Sequence, residues 1–307
     1  MLEFETYRRE LIAHCYRMTG SVDDAEDLVQ ETFLRAWRAR DGFEGRASVR
    51  SWLYRIATNV CLTALERRRY LPSGLGPPGT DPLARVEPAP DVDWVQPIPD
   101  SLVADPADAA VRKDDLRLAL VASLQFLPPR QRAVLLLRDV LAWSAAEVAA
   151  ALSMSVAAVK SALQRARATV STLSPEQVAP APAEARAVLD AYVRAFETSD
   201  AAALERLLTD DAVLEMTGVR TWFAGKANCL PHLRVQALGE PGDWRMVPAP
   251  ANGQPAVVAY LQGEPYAVAV LTVRGDRLHR IAVFADPPVV ARFVSTSAGR
   301  SGSRSGR

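Results

Sequence analysis

Two sets of residues in this chain have the types and spacing to do chemistry. The first is cationic and polar: Lys160, Arg165 and Arg167 interleave with Ser155, Ala157, Ser161 and Gln164. Cations on one helix face can neutralise phosphates, short polar groups can reach base edges, and the stretch carries no acid to repel a polyanion. The second set, Asp211, Glu215 and His279, is of the acid–base kind. Such chemistry needs a titratable group poised in a pocket. An Asp in a turn or a single His on a strand more often serves structure, and a fold is often reused without its chemistry, so no catalytic residue is assigned. Cys15, Cys61 and Cys229 stand singly in apolar surroundings, without the paired spacing of a zinc site or a disulfide framework. They read as buried thiols, and neither a metal nor a cofactor is expected.

The cationic set needs a helix to carry it. Ser144 followed by Glu147 is a capping box that starts a helix over Ala145–Leu152. Ser153 and Met154 make a turn, and Ser155 caps a second helix running from Val156 to about Ala168. Val156, Val159, Leu163 and Ala166 share its inward face; Ala157, Lys160, Ser161, Gln164 and Arg167 face outward with Arg165 on the flank. The pattern reads as a helix-turn-helix, although a helical hairpin with a solvated basic side has the same local signature.

The 307 residues allow two or three domains, and the formal net charge of zero confines any nucleic-acid binding to local patches. Charge is indeed sorted. Val22–Glu31 carries Asp23, Asp24, Glu26, Asp27 and Glu31 without a cation, whereas Arg46–Arg69 carries Arg46, Arg50, Arg55, Arg67, Arg68 and Arg69 against Glu66 alone. Phe4, Tyr7, Leu11, Cys15 and Met18 form the stripe of a first helix that stops at Gly20. Ser21 caps a second helix, with Val22, Ala25, Val29, Phe33, Ala36 and Trp37 inward and Asp24, Asp27, Gln30 and Glu31 outward. After the loop Asp41–Ala47, Ser48 caps a third, with Val49, Trp52, Leu53, Ile56, Val60 and Ala64 inward and Arg55, Asn59 and Thr63 outward.

From Leu71 to about Asp108 the chain is rich in Pro, Gly and Asp and reads as a linker, within which Asp93–Val103 is apolar enough to dock on something. Helices at Ala110–Leu124 and from Pro129 onward brace the helix-turn-helix. Beyond an alanine–proline connector come helices at Ala183–Thr198 and Ala201–Leu208, then period-two strands at Ala212–Met216, Val257–Leu261, Tyr266–Val273 and Leu278–Phe284. Arg274-Gly275-Asp276 reads as a hairpin turn, and the whole as an α+β unit with a curved antiparallel sheet. Trp222, Phe223, Trp244 and Tyr260 line either its core or a small-ligand pocket, and the residues from 296 to 307 read as a disordered basic tail. With no apolar leader or span, no membrane partner is expected and the reading is cytoplasmic.

DAEDLVQETFLRAW (Asp24–Trp37) with FEGRASVRSWLYRIATNVCLTALERRR (Phe43–Arg69) resembles region 2 of bacterial extracytoplasmic-function (ECF) sigma factors, and LPPRQRAVLLLRDVLAWSAAEVAAALSMSVAAVKSALQRARATV (Leu127–Val170) resembles their region 4. LTDDAVLEM (Leu208–Met216), TWFAGKANCLPHL (Thr221–Leu233) and the closing strands resemble the SnoaL-like branch of the NTF2-like fold. The resemblance implies a multidomain chain: all-α region 2 over 1–71, an extended linker over 72–109, region 4 over 110–173, a connector over 174–182, and an α+β SnoaL/NTF2-like cone over 183–295. It implies an alternative sigma factor, not an enzyme, whose partners are core RNA polymerase, at the beta-prime clamp helices and the beta flap, and promoter DNA. Asp24, Asp27, Gln30 and Phe33 take the polymerase-binding role, with core packing the other reading of Phe33. Phe43, Arg46, Arg55, Asn59, Arg67, Arg68 and Arg69 take minus-ten recognition and melting; capture of a flipped base lets melting proceed without ATP. The set from Ser155 to Arg167 takes the minus-thirty-five element. The linker is expected to thread the polymerase's RNA exit channel, and the last domain to control the sigma factor from within through a contact with the Trp94–Ile98 patch, of either sign, with a small ligand or a regulatory protein as that domain's partner. A helix-turn-helix regulator fused to a ligand sensor, or a SnoaL-like enzyme with a DNA-binding appendage, are the rivals; neither needs the acidic helix.

Overall fold

Apolar residues recur at three- and four-residue steps through the first third of the chain, and each stripe becomes a helix. In the computed structural model, residues 4–43, 45, 48–103, 116–173 and 180–301 are described. The chain divides into two compact units, one of residues 1–72 with 101–177 and one of 73–100 with 178–307.

In the first unit α1 (Arg8–Thr19) ends where Gly20, at φ 82°, turns left-handed and bonds back to the Tyr16 carbonyl. The Ser21 hydroxyl accepts from the Asp24 N–H to start α2 (Val22–Ala39), and Ser48 accepts from Ser51 to start α3 (Val49–Ala64). Leu11, Cys15, Met18, Ala25, Val29 and Leu53 are fully buried where the three helices meet, each large side chain contributing roughly 1.5–3 kcal/mol. Cys15 and Cys61, far apart in sequence, meet there: the hydrogen bond with Cys15, then burial, push the Cys61 thiol well up. Trp37 does not join the stripe; it is 54% exposed, under the Arg40 guanidinium at 3.9 Å. Ala36 closes the apolar face, and the next residue lies about 100° further round the helix.

The short α4 (Asp100–Val103) begins at the last residue of the second unit's 73–100 segment, and the first unit continues through α5 (Leu118–Leu124), α6 (Pro129–Leu135), α7 (Ala145–Leu152) and α8 (Val156–Leu173). The expected helix over Ala110–Leu124 lies partly outside the described residues. Arg132 of α6, 2% exposed, reaches the end of α1: Nη1 donates to the Met18 carbonyl and to Gln125 Oε1, and Nη2 to the carbonyls of Gln125 and Leu127. Burial lowers its pKa to about 9, still above neutrality, so the buried group is a cation.

In the second unit α9 (Pro182–Glu197) and α10 (Ala201–Leu207) precede β1 (Leu208–Met216), β2 (Phe223–Ala224), α11 (Lys226–His232), β3 (Trp244–Pro248), β4 (Ala256–Leu261), β5 (Glu264–Arg274), β6 (Arg277–Phe284) and α12 (Pro287–Ser301). Among the described residues the strands form one sheet in the order β2-β1-β6-β5-β4-β3. It is mixed: β1 runs parallel to β6, contrary to the antiparallel expectation. A hairpin forces antiparallel pairing, whereas the long excursion between β1 and β6 imposes no direction. Hairpins join β4 to β5 through Gln262-Gly263, both at positive φ, and β5 to β6 through Gly275-Asp276. Tyr192, Phe196 and Leu204 pack on one sheet face with Leu214, Leu271 and Ile281. Val289, Val290 and Phe293 of α12 are buried as that helix packs on β5 and β4, which gives β4 its unbroken apolar run. The sequence reading of a tail from 296 is therefore corrected as far as Ser301, where α12 ends; residues 302–307 lie outside the described ones.

The linker has a core after all, in the second unit. Its backbone pairs with that unit's: Gly79 N–H to Trp222 O at 2.7 Å, Arg220 N–H to Glu87 O at 2.8 Å, Ala89 N–H to Gly218 O at 2.8 Å. The apolar patch docks as its composition suggests. Ile98 is fully buried, its N–H bonded to Asn252 Oδ1 at 3.0 Å while the Asn252 N–H returns to the Ile98 carbonyl at 3.0 Å.

His14 makes the first unit sensitive to acid. Burial, then the nearby Arg17 charge, lower its pKa to about 3, and Nε2 shares a 2.9 Å hydrogen bond with Thr58 Oγ1. The unfolded chain binds that proton near pH 6.5 and the folded chain does not, so this contribution is full above about 6.5 and lost as pH falls toward 3. Lowering the pH from about 7 to about 5 should cost about 2 kcal/mol from this group. Thermal melting over that range should show the loss, and His14→Gln should flatten the slope.

Candidate functional site

The helix-turn-helix stands on side chains that close its own ends. The Ser144 N–H donates to Glu147 Oε2 at 2.7 Å and the Glu147 N–H to Ser144 Oγ at 3.2 Å. Ser153 takes the left-handed conformation at φ 53°, the chain bends by 101° between α7 and α8, and the Ser155 hydroxyl accepts from the Ala158 N–H at 3.1 Å. Val159, Ala162, Leu163 and Ala166 are buried. Val156, expected inward, is 42% exposed, and its neighbour Ala157 in the first turn of α8 is exposed with it. Ser155, Ala157, Lys160, Ser161, Gln164, Arg165 and Arg167 are all exposed, as the spacing predicts. Arg167 is nevertheless engaged: it forms a two-pronged ion pair with Asp139 at 2.6 and 2.9 Å, a partner no helical spacing could reveal. Arg165 donates to the Ser161 hydroxyl. Lys160 and Gln164 are the exposed pair at the centre of the face.

Of the polymerase-binding set, Asp27 and Gln30 are exposed and Phe33 is half-buried, stacked on Phe4 at 6.0 Å with the Arg8 guanidinium 5.3 Å away. Asp24 departs from expectation. It is half-buried, paired with Arg68 at 3.5 Å and hydrogen-bonded by Tyr70, and burial raises its pKa above the usual range. Arg68, stacked 5.0 Å over Tyr70, is thus a structural partner as well as a candidate DNA contact. Arg55, Arg67 and Arg69 are exposed, Asn59 folds back on the Arg55 carbonyl at 2.9 Å, and Phe43 packs 4.8 Å from Trp52. Arg46 lies outside the described residues. Phe43, Trp52 and Arg55 share a cleft of about 420 Å³ with Trp143, Glu147 and Ala151, so the loop expected to capture a base and the first helix of the helix-turn-helix face the same space.

The second unit encloses a cavity of about 330 Å³ between its helices and the concave sheet face. Of the four expected pocket residues only Trp244 lines it. Phe223 is core, 4.5 Å from His232; Trp222 donates to the Gly76 carbonyl; and Tyr260 lies under the Arg245 guanidinium at 4.3 Å. Strand alternation explains the miss at Tyr260, since Ala259 takes the inward position. Tyr192, Phe196, His232 and Tyr266 also line the cavity; Tyr192 and Phe196 share the apolar face of α9 at helical spacing, which is the sequence signal for the first two. The candidate acids and bases do not line it. Arg274, 2.8 Å away, pulls the Asp211 carboxyl down to about 2; His279, its pKa lowered chiefly by burial, sits 3.5 Å from Asp211 and accepts from Arg274 at 2.9 Å. Glu215 is tied to Arg280 and to the Ser73 hydroxyl. Among the described residues no His, Cys, Asp and Glu cluster has the geometry to hold a metal ion.

Asp24 and Asp27, both on α2, should separate in stability measurements. Asp24→Ala strips a buried partner from Tyr70 and Arg68 and should cost about 1–3 kcal/mol, whereas Asp27→Ala should stay within about 0.5 kcal/mol. Equal melting temperatures would remove the structural role given to Asp24.

Residues 4–70 match the Sigma-70 region 2 family and residues 117–170 match Sigma-70, region 4. The chain is 47% identical over 303 residues to the ECF RNA polymerase sigma factor SigG of Mycobacterium tuberculosis, covering 94% of this chain and 82% of that one. It is 36% identical over 172 residues to SigJ of the same species, covering 55% of this chain and 49% of that one. The crystal structure of M. tuberculosis SigJ superimposes with a TM-score of 0.63 at 25% identity, covering 94% of this chain and 97% of that one. Two sigma regions in order, an exposed recognition helix and identity along nearly the whole chain converge: this chain belongs to the ECF RNA polymerase sigma factors and acts in promoter-specific initiation.

Proposed function

We propose that this sigma factor initiates transcription in the cytoplasm through an opened form of its first unit, and that its second unit restrains it by holding the linker. Asp27, Gln30 and Phe33 bind the clamp helices of the polymerase, region 4 meets the beta flap, and Lys160 and Gln164 read the minus-thirty-five element. Arg55, Asn59, Arg67 and Arg69 serve the minus-ten element, with Phe43 beside the melted base. No catalytic activity is assigned, since the acid–base residues are spent on ion pairs away from the cavity.

The observation that carries the reading is the linker. Its backbone and apolar side chains are paired within the second unit, while a path through the polymerase would need them released. Both states cannot hold at once, so polymerase binding and linker docking compete. The first unit needs opening as well. The two promoter elements are centred roughly 25 base pairs apart, about 85 Å of B-form DNA, whereas a compact body of this size has a radius of gyration of about 15 Å. Region 2 and region 4, latched through Arg132, cannot span that distance without parting.

Run-off transcription with purified core polymerase tests the competition. Asn252→Ala removes the side chain that receives the Ile98 N–H and should raise open-complex formation at limiting polymerase, with convergence at saturating polymerase. Identical activity of variant and parent at every polymerase concentration would sink it.

DNA binding tests the recognition helix. Gln164→Ala should cost about 1–3 kcal/mol at one promoter position and relax its specificity, whereas Lys160→Ala should weaken all sequences alike and reduce the salt slope by about one. Arg167→Ala should act partly by freeing Asp139. A negligible effect of both Lys160→Ala and Gln164→Ala would displace this helix from the promoter.

A further inference from the structure

The cavity of the second unit has an aromatic wall, a tyrosine hydroxyl that makes no hydrogen bond among the described residues, and a cover made of linker. Tyr192, Phe196, Trp244 and Tyr266 stand around it, with aliphatic side chains such as Leu214 and Ile281 across the space. Its volume of about 330 Å³ lies at the lower end of the roughly 300–1,000 Å³ of small-molecule sites. Tyr192 is 2% exposed, and among the described residues its hydroxyl has no hydrogen-bond partner. A core built only for packing would carry a phenylalanine there. No carboxylate lines the space, and Arg85, its one charged neighbour, is exposed at the mouth. A cationic guest would be buried without a counter-charge, and the one cation, Arg85, is itself exposed to water.

The cover is the linker itself. Ala84, Arg85 and Val86 line the cavity, and two residues before them the Pro82 carbonyl takes a 3.0 Å hydrogen bond from His232 Nδ1. His232 also lines the cavity and packs its ring on Phe223, so the same imidazole forms part of the wall and pins the cover.

We infer that this cavity binds a neutral, largely apolar aromatic molecule bearing one carbonyl-type acceptor for the Tyr192 hydroxyl, with linker residues 82–86 as its lid. The guest touches both the domain and the docked linker, so it binds the docked state more tightly and shifts the chain toward it. This deepens the linker competition proposed above and names its ligand class: the molecule restrains initiation by holding the linker down.

The neutral naphthyl ketone prodan, whose emission reports polarity, serves as the probe on the full-length chain without polymerase. Saturable binding of one prodan per chain with blue-shifted emission is expected. Tyr192→Phe, which removes only the hydroxyl, should weaken binding roughly three- to tenfold. Ala259→Phe, which fills the cavity, should abolish it; if that variant fails to fold, Tyr192→Phe decides alone. Saturating prodan should also slow tryptic cleavage after Arg85 several-fold, read by mass spectrometry of the fragment beginning at Val86. Non-saturable binding, unchanged affinity in Tyr192→Phe, or an unchanged cleavage rate at Arg85 would each overturn the proposal. These measurements contain no polymerase, so their failure leaves the run-off result standing, and a failed run-off experiment leaves the cavity's occupancy standing.

Discussion

The first unit depends on one buried cation. A guanidinium out of water costs several kcal/mol unless its N–H groups are satisfied, and Arg132 finds its acceptors where a helix end supplies them. The Met18 carbonyl is one of the last in α1, left without an intrahelical donor and at the negative end of the helix dipole. Gln125 completes the arrangement, accepting from Arg132 and donating to the carbonyls of Arg17 and Val121. Region 2 and region 4 are thereby joined through the Met18 and Arg17 carbonyls, which accept from Arg132 and Gln125, while the other acceptors of both side chains lie within region 4 itself. Nε of Arg132 remains buried without a partner, a residual cost that parting the modules removes. A latch of this kind is specific in geometry yet modest in net energy.

The second constraint is the linker's dependence on a core it does not contain. Its prolines limit the backbone freedom lost on docking, and the second unit supplies both apolar cover and backbone partners. At its start, Gly74 lies at φ 75°, and an added Cβ would sit 2.6 Å from Glu215 Oε1, so the chain passes the Glu215–Arg280 pair at a distance only glycine permits. At its end, Asp100 Oδ1 accepts from the Gly253 N–H at 2.8 Å. A segment held at both ends and covered between them is a folded part of its domain, and its release has a definable free-energy cost.

Sequence by itself determined the helices, their caps and the outward face of α8, because capping boxes, glycine stops and three-to-four periodicity are local. Ser144 with Glu147, Gly20, Ser21 and Ser48 behave as their spacing dictates. It also determined the two sigma regions and the α+β character of the last third, since each rests on a contiguous pattern. Tertiary structure alone decided which polar residues were free. Asp24 and Arg167 occupy outward positions on their helices, yet Arg68 and Asp139 reach them from distant parts of the chain. It also decided the parallel β1–β6 pair, the exposure of Trp37, the helical course of α12 and the choice of Tyr192 over Tyr260 as a cavity residue. Apart from the exposure of Trp37, each of these rests on contacts between residues remote in sequence, and periodicity places a side chain on a face without saying what covers that face.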